Sequence, residues 1–301
     1  MKNNQECPLC GLQKNRIVYK ELSKGLKEGV DQGYRISEGK LQKPEEVYQC
    51  DVCNFIFAGK DRSSTFYLKQ YEDMIDEDYL KEEQGRREAA RIIIKKIEKH
   101  KKRGKLLDIG CANGFFLDEA RKRGWEVFGV EVSQWALDYA KEKLNLNVFK
   151  GPLKNASLKE GSFDVVVMMD VIEHLQEPRK QLEQIKKILK KDGILYISTP
   201  DISSFASRIL RAKWWGINRA HLVYFSKETF QKMLTLCGFK ISRYYSHVRI
   251  FSFSYWAKRI SQYDMPGILK IFNFISKKSS FGKIKIKINL HDQIEAVAFK
   301  K

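Results

Sequence analysis

The stretch Leu106-Leu107-Asp108-Ile109-Gly110-Cys111-Ala112-Asn113-Gly114-Phe115-Phe116 decides the fold. Its apolar start reads as a buried strand, its middle as a tight turn, and Phe115 as the opening of a helix. Glycine lets the backbone bend sharply and approach a ligand closely. The helix start offers backbone N–H groups without intrahelical partners. A dinucleotide turn needs Gly-x-Gly-x-x-Gly to seat a pyrophosphate on that helix start. Counted from Gly110, Ala112 replaces the second glycine and Phe115 the third. An aromatic at the third position does not permit the close helix–strand packing. The turn instead reads Asp-x-Gly-x-Ala-x-Gly, led by Asp108. A carboxylate there repels a pyrophosphate and suits a cationic amino-acid moiety. A ligand carrying an amine and a sulfonium fits better.

Outward from this turn, short apolar runs alternate with amphipathic stretches. The runs cover residues 106–109, 127–130, 164–169 and 194–198. The helical stretches cover 115–123, 134–144 and 178–189, with another at 229–237 closed by Gly238. Late strands are expected at 239–245 and 294–299. Strands separated by helices imply βαβ units and a parallel sheet. The second run ends in Gly129-Val130-Glu131, placing a carboxylate roughly 20 residues beyond the turn, where both hydroxyls of a ribose can be held. The plain alternative for Glu131 is a solvated acid at a helix start, favoured by the helix dipole. Upstream, residues 82–102 set Ala89, Ala90, Ile93, Ile94 and Ile97 on one helical stripe, ended by Gly104.

The chain has 301 residues, 43% hydrophobic and 31% charged, an ordinary globular balance. No apolar run reaches the ~18 residues of a membrane helix, and Met1–Cys10 lacks an apolar signal core. A cytoplasmic location is expected. The net charge is +19. A nucleic-acid partner, an anionic membrane surface, a phosphate-bearing substrate or a plainly solvated basic surface each accommodates it. Residues 241–301 hold 12 Lys and Arg against 3 Asp and Glu. Phe251, Tyr255, Trp256, Lys258 and Arg259 there suit a peripheral contact with lipid headgroups or phosphates.

Four of the six cysteines form two Cys-x-x-Cys pairs, Cys7/Cys10 and Cys50/Cys53. Four thiolates suit tetrahedral zinc and leave no open position, which gives the metal a structural role. The separation of the pairs exceeds the ~15–20 residues of a compact ribbon, so an inserted loop is needed. Redox pairs are the alternative, against which stands the lack of a thioredoxin-like strand pattern. Cys111 and Cys237 read as small core residues.

Taken in order, Asp108–Phe116, Glu131-Val132-Ser133, Phe163–Val167, Asp170-Val171-Ile172-Glu173-His174-Leu175 and Gly193–Pro200 resemble the motifs of class I S-adenosylmethionine-dependent methyltransferases. The resemblance implies a Rossmann-like α/β fold with a seven-stranded sheet, mostly parallel, the last strand antiparallel. It implies a domain plan of a zinc-ribbon module (1–60), a helical linker and cofactor lid (61–104), a methyltransferase core (105–245) and a basic extension holding the last strand (246–301). Asp108, Gly110 and Gly114 would line the methionine end of S-adenosylmethionine, and Cys111 and Phe115 would also contact the cofactor. Glu131 would hold the ribose. Val132, Leu153 and Trp135 would flank the adenine, and Met169 and Asp170 would close the pocket. Tyr67, Tyr71 and Tyr79 fall where the family places a lid; packing on the cysteine module is their alternative.

The candidate catalytic residues are Glu173, His174 and His221. Either histidine suits a general base near neutral pH. Asp170, Glu173, His174 and His221 also resemble the Glu-x-x-Glu-His…His cation site of small-RNA 2′-O-methyltransferases and ubiquinone-biosynthesis O-methyltransferases, with Asp170 in place of the first Glu. A divalent cation there could ligate two substrate oxygens and lower a hydroxyl's pKa. Helix capping by Glu173 and His174 is the structural alternative. The layout, with its Trp214-Trp215-Gly216…His221-Leu222-Val223-Tyr224-Phe225-Ser226 segment, resembles a bacterial subgroup tied to surface polysaccharides. That implies O-methylation of a sugar or lipid-linked glycan. A nucleic-acid methyltransferase, a quinone or other small-molecule O-methyltransferase, and a cofactor-binding module without turnover are the alternatives.

Overall fold

The computed structural model describes residues 5–20, 44, 46–59, 72, 75–260, 282 and 284–301. Tyr67, Tyr71 and most of the insertion between the cysteine pairs lie outside the described residues.

Seven strands make the central sheet: β4 (Lys105–Ile109), β5 (Glu126–Glu131), β6 (Val148–Lys150), β7 (Phe163–Met169), β8 (Leu189–Pro200), β10 (Phe239–Tyr244) and β13 (Gln293–Lys300). They follow three short strands, β1 (Asn15–Lys20), β2 (Glu46–Cys50) and β3 (Ile56–Ala58), and interleave with β9 (Val223–Tyr224), β11 (Arg249–Ser252) and β12 (Lys285–Ile288). The order across the sheet is β10-β13-β8-β7-β4-β5-β6. β4 pairs in parallel with β5 and β7, β7 with β8, and β5 with β6. β13 runs antiparallel to both of its neighbours. This is the α/β sheet that the motif order implies. The central strands read as continuous apolar runs because helices cover both faces. Leu106, Leu107, Val165 to Met168 and Ile194 to Ile197 are fully buried.

The helix Glu83–Ile97 buries Ala90, Ile93, Ile94 and Ile97 along the expected stripe. It stops seven residues before Gly104, because beyond Ile97 no further stripe residue exists to bury. His100 and Lys101 donate back to the Ile97 carbonyl, and Arg103 (φ 57°) and Gly104 (φ 125°) turn the chain into β4. The stretch 134–144 divides as well. The helix Gln134–Asp138 widens into a π-turn at Tyr139–Lys143, where Leu146 N donates to the Ala140 carbonyl at 3.1 Å.

The cysteine-bearing strands join β9 in one four-stranded sheet, β1-β2-β3-β9. Phe57 registers with Val223, so the last strand of the module belongs to the segment just after His221. Phe55, Phe225 and Phe230 continue the contact, with centroids 5.2 and 5.8 Å apart. In the basic extension, β11 and β12 pair antiparallel and the helix Phe253–Ile260 follows β11. Tyr255 and Trp256 are each 8% exposed and pack on Phe251, which takes these aromatics away from the headgroup contact expected of them. Among the described residues no helix is long and apolar enough to cross a membrane.

Candidate active site

The end of β4 and the glycine turn form the first half of the site. Gly110, Ala112 and Gly114 all have positive φ, at 75°, 45° and 80°. A side chain at Gly110 would strike Val171, whose Cγ2 lies 2.6 Å from the Cβ position. Gly110 N and Cys111 N donate to the Val130 carbonyl, tying the turn to β5. Glu131 tightens the same seam. Its carboxylate accepts from Ala112 N at 2.7 Å and from Val132 N and Ser133 N at 2.8 Å. A carboxylate offers about four lone-pair sites, so one remains for a ligand.

Asp108 is 2% exposed, and its Oδ1 has no hydrogen-bond partner. Among the described residues Asn113 Nδ2, also buried, has none either. Burial, with the neighbouring Glu131, pushes the Asp108 carboxyl well above the carboxylate range. Burial also raises Glu131, against the pull of its three backbone donors. The Cys111 thiol turns into the core, in the cluster with Leu117 and Val148. Leu153 is buried and Val132 half-buried beside Glu131. Phe115 stacks on Tyr79 at 6.0 Å and meets Tyr139 edge-on at 5.8 Å.

Of this half Arg86 escaped the sequence reading, and Tyr79 was expected there only as one of three lid tyrosines. Tyr79, in the short helix Glu77–Lys81, has its phenol raised by burial and by Asp108, Glu131 and Cys111, against the pull of Arg86. It therefore sits over the turn. Arg86 lays its guanidinium 3.5 Å from the Tyr79 ring, and its buried Nε has no partner. Helical periodicity hides such a residue, because an arginine seven positions after a tyrosine reads as one more solvated charge.

The second half forms where β7 ends. Asp170 takes a positive φ of 54°, and its Oδ1 accepts from Ser198 Oγ at 3.1 Å and from Gln293 Nε2. The turn Ile172–His174 then drives Glu173 inward to 2% exposure, where Thr199 Oγ1 donates to Oε2 at 3.0 Å. Nδ1 of His174 lies 2.9 Å from the Ala220 carbonyl, and Nδ1 of His221 lies 2.7 Å from that of Gly216. A carbonyl only accepts, so each Nδ1 carries a proton. The ligand atoms of Glu173, His174 and His221 lie within 4.8 Å of one another. Asp170, expected as a fourth member, stands outside that cluster, its carboxylate occupied by Ser198 and Gln293. Burial, then Asp170, pushes the Glu173 carboxyl well up, and burial lowers His174.

Asn218 shapes the His221 loop, its Oδ1 accepting from Ala220 N and His221 N at 2.9 and 3.2 Å. Leu222 N donates to the Glu173 carbonyl at 2.7 Å, while its own carbonyl accepts from Ala58 N at 2.8 Å. One residue, Leu222, thus joins the Glu/His cluster to the cysteine-bearing sheet.

In that sheet the four thiols converge. Cys7 and Cys53 sulfurs are 3.5 Å apart, Cys10 and Cys50 sulfurs 3.6 Å, and all four are free thiols within 4.8 Å of one another. Backbone N–H groups of Leu9 and Cys10 point at Cys7, and those of Val52 and Cys53 at Cys50. Burial raises Cys7 and takes Cys53 to about 11, whereas the backbone donors outweigh burial and lower Cys50.

Comparison with known proteins identifies this arrangement. The family described as "Methyltransferase domain" matches residues 81–243, more than half of the chain. The chain belongs to the methyltransferase-domain family. The matched span runs from the start of the helix Glu83–Ile97 to β10 and contains every residue of both halves except Tyr79 and Gln293. The ubiquinone biosynthesis O-methyltransferase of Pelagibacter ubique is 32% identical over 127 residues, 40% of this chain and 53% of that protein. Its mitochondrial counterpart in Schizosaccharomyces pombe is 32% identical over 145 residues, 43% of this chain and 49% of that protein. The methyltransferase-domain chain thus spans about half the length of these curated relatives. The PH0226 protein of Pyrococcus horikoshii shares the fold, with a TM-score of 0.50 and 20% identity over 77% of this chain and 95% of that one.

The lowered pKa of His174 predicts a neutral ring at pH 7 with the proton on Nδ1. Nitrogen NMR of histidine-labelled protein checks this; an imidazolium signal at pH 7 contradicts the geometry.

Proposed function

We propose that this methyltransferase-domain protein transfers a methyl group from S-adenosylmethionine to a hydroxyl of a small acceptor. Bound S-adenosylmethionine supplies an electrophilic sulfonium methyl. The observation that carries the reading is the charge pattern around the glycine turn. Among the described residues Asp108 is a buried acid whose Oδ1 has no partner, Glu131 retains one acceptor site, and Arg86 is a cation with an unsatisfied buried donor. An amino acid carrying an ammonium and a carboxylate, joined to a ribose, complements all three. Asp108 takes the ammonium, Arg86 the carboxylate and Glu131 the sugar hydroxyls. Val132 and Leu153 flank the adenine, and Tyr79 covers the amino-acid end. Met169 and Asp170 close the pocket toward the acceptor.

Glu173, His174 and His221 face the acceptor. One carboxylate and two imidazole Nε2 atoms suit a divalent cation, which would polarise the acceptor hydroxyl and hold a second oxygen beside it. The donor set fits, because both histidines are fixed through Nδ1 by backbone carbonyls, the usual support of a ligating imidazole. Without a cation the same Nε2 lone pairs accept the hydroxyl proton directly. The relatives' name supports a hydroxyl acceptor of the quinone-pathway kind over the glycan or nucleic acid weighed from the sequence.

We also assign a structural zinc to Cys7, Cys10, Cys50 and Cys53. A tetrahedral zinc with sulfurs at about 2.3 Å sets them roughly 3.8 Å apart, close to the two spacings seen. The ion would hold the sheet whose last strand, β9, fixes the His221 loop.

Calorimetry with S-adenosylmethionine tests the cofactor assignment. Arg86→Ala and Glu131→Ala should each weaken binding by roughly 10- to 100-fold, the worth of a hydrogen bond to a charged group. Unchanged affinity in both variants refutes it. Metal analysis should find one tightly held zinc per chain, absent from Cys7→Ser. Gentle chelation followed by Mg2+ or Mn2+ should abolish and then restore turnover of a catechol acceptor. Chelator-resistant turnover that His221→Ala destroys would assign Nε2 as the base.

A further inference from the structure

The basic extension packs directly onto the helices that carry Tyr79 and Arg86. Glu82, 7% exposed, accepts from Ser252 N at 2.8 Å through Oε2 and from Ser252 Oγ at 2.5 Å through Oε1. The same Ser252 Oγ accepts from Tyr255 N at 3.1 Å, capping the helix Phe253–Ile260. Lys258 Nζ bonds Asp78 Oδ2 at 2.7 Å and helps hold that carboxyl down to about 2. At Gly85 the two backbones come together so closely that a Cβ would lie 2.2 Å from the Ile250 carbonyl oxygen. Only glycine permits this approach.

These contacts converge on Arg86. Its guanidinium lies between two rings, 3.5 Å from the Tyr79 centroid and 5.3 Å from that of Phe251. Phe251 is itself held by Tyr255 at 4.4 Å and Trp256 at 5.7 Å. Among the described residues no carboxylate pairs with this guanidinium. Aromatic faces hold a cation without consuming its N–H donors. The sandwich therefore fixes the direction of Arg86 and leaves those donors for an anion. The neighbouring Arg87 shows the contrast, with Glu83, Asp118 and Glu119 bonding its guanidinium.

We propose that β11 and the helix after it form a clamp for the amino-acid end of the cofactor pocket, with Phe251 and Ser252 as positioning residues for Arg86 and Tyr79. The proposal rests on the assignment of Arg86 to the cofactor's carboxylate. Phe251 restrains the guanidinium plane, and the Ser252–Glu82 pair sets the start of the helix that carries it.

Two probes separate this role from general damage. S-adenosylhomocysteine carries the amino-acid end, and 5′-methylthioadenosine has the same nucleoside without it. In the full-length chain, Phe251→Leu and Ser252→Ala should weaken S-adenosylhomocysteine about 5- to 10-fold, in keeping with the loss of one cation–π or hydrogen-bond restraint. Their affinity for methylthioadenosine should stay within about twofold of wild type, and Phe251→Tyr, which keeps the ring face, should retain S-adenosylhomocysteine binding. Equal losses for both probes overturn the clamp, as does no loss for either, or a Phe251→Tyr variant as weak as Phe251→Leu. Wild-type protein that binds neither probe overturns the cofactor assignment itself and the clamp with it.

Discussion

Three acids, Asp108, Glu131 and Glu173, sit at the carboxyl ends of the sheet strands with no more than 7% of their surface exposed. Among the described residues no lysine or arginine pairs with any of them. Burying an unpaired carboxylate is costly, and such a group raises its pKa unless something positive or hydrogen-bonding meets it. Each acid is handled differently. Glu131 has three backbone donors, Glu173 has its own backbone N–H and a threonine hydroxyl, and among the described residues Asp108 Oδ1 has nothing. The site is thus graded from a nearly satisfied acid to an unsatisfied one. The gradient matches a ligand whose sugar needs little charge and whose ammonium needs much.

The remainder of the chain holds these acids in place. The parallel strands deliver their ends to one edge, where such sheets bind ligands. The cysteine sheet reaches that edge through β9, and Leu222 joins it by hydrogen bonds to the Glu173 turn. From the opposite side, Arg249 bonds Asp292 and Gln293 at 2.6 Å. Asp292 then accepts from Trp215 Nε1, and Gln293 donates to Asp170. The cysteine sheet and the extension therefore both bond to the segment that follows β7. The positive charge of the extension is partly neutralised by internal partners, Arg249 with Asp292 and Lys258 with Asp78 among them.

The central sheet was legible because its signals are local. An apolar run, a glycine turn and an acid roughly 20 residues later follow from chain geometry alone. Glu173, His174 and the four cysteines were legible because chemistry needs those residue types at those spacings. What the sequence hid depends on distant partners. The two-residue β9 exists only because β3 pairs with it. Arg86 is a candidate for holding a ligand only because, among the described residues, no acid pairs with it. Asp170 looked like a cation ligand by resemblance to the Glu-x-x-Glu-His…His site, but Ser198 and Gln293, 28 and 123 residues away, hold its carboxylate. The aromatic residues of the extension looked exposed, because their burial against β11 and β12 leaves no periodic trace.

The most direct test of the central claim is the proton balance of S-adenosylmethionine binding, measured by calorimetry in buffers of different ionisation enthalpy. In the free protein burial holds the Asp108 carboxyl well above its ordinary range. A cationic ligand beside it favours the ionised form and pulls that pKa down. Binding should therefore release protons, and affinity should rise with pH through the free-state pKa. A pocket that binds this ligand with no proton release, or with proton uptake, would contradict the assignment of Asp108 as the buried acid that the cofactor's cation neutralises.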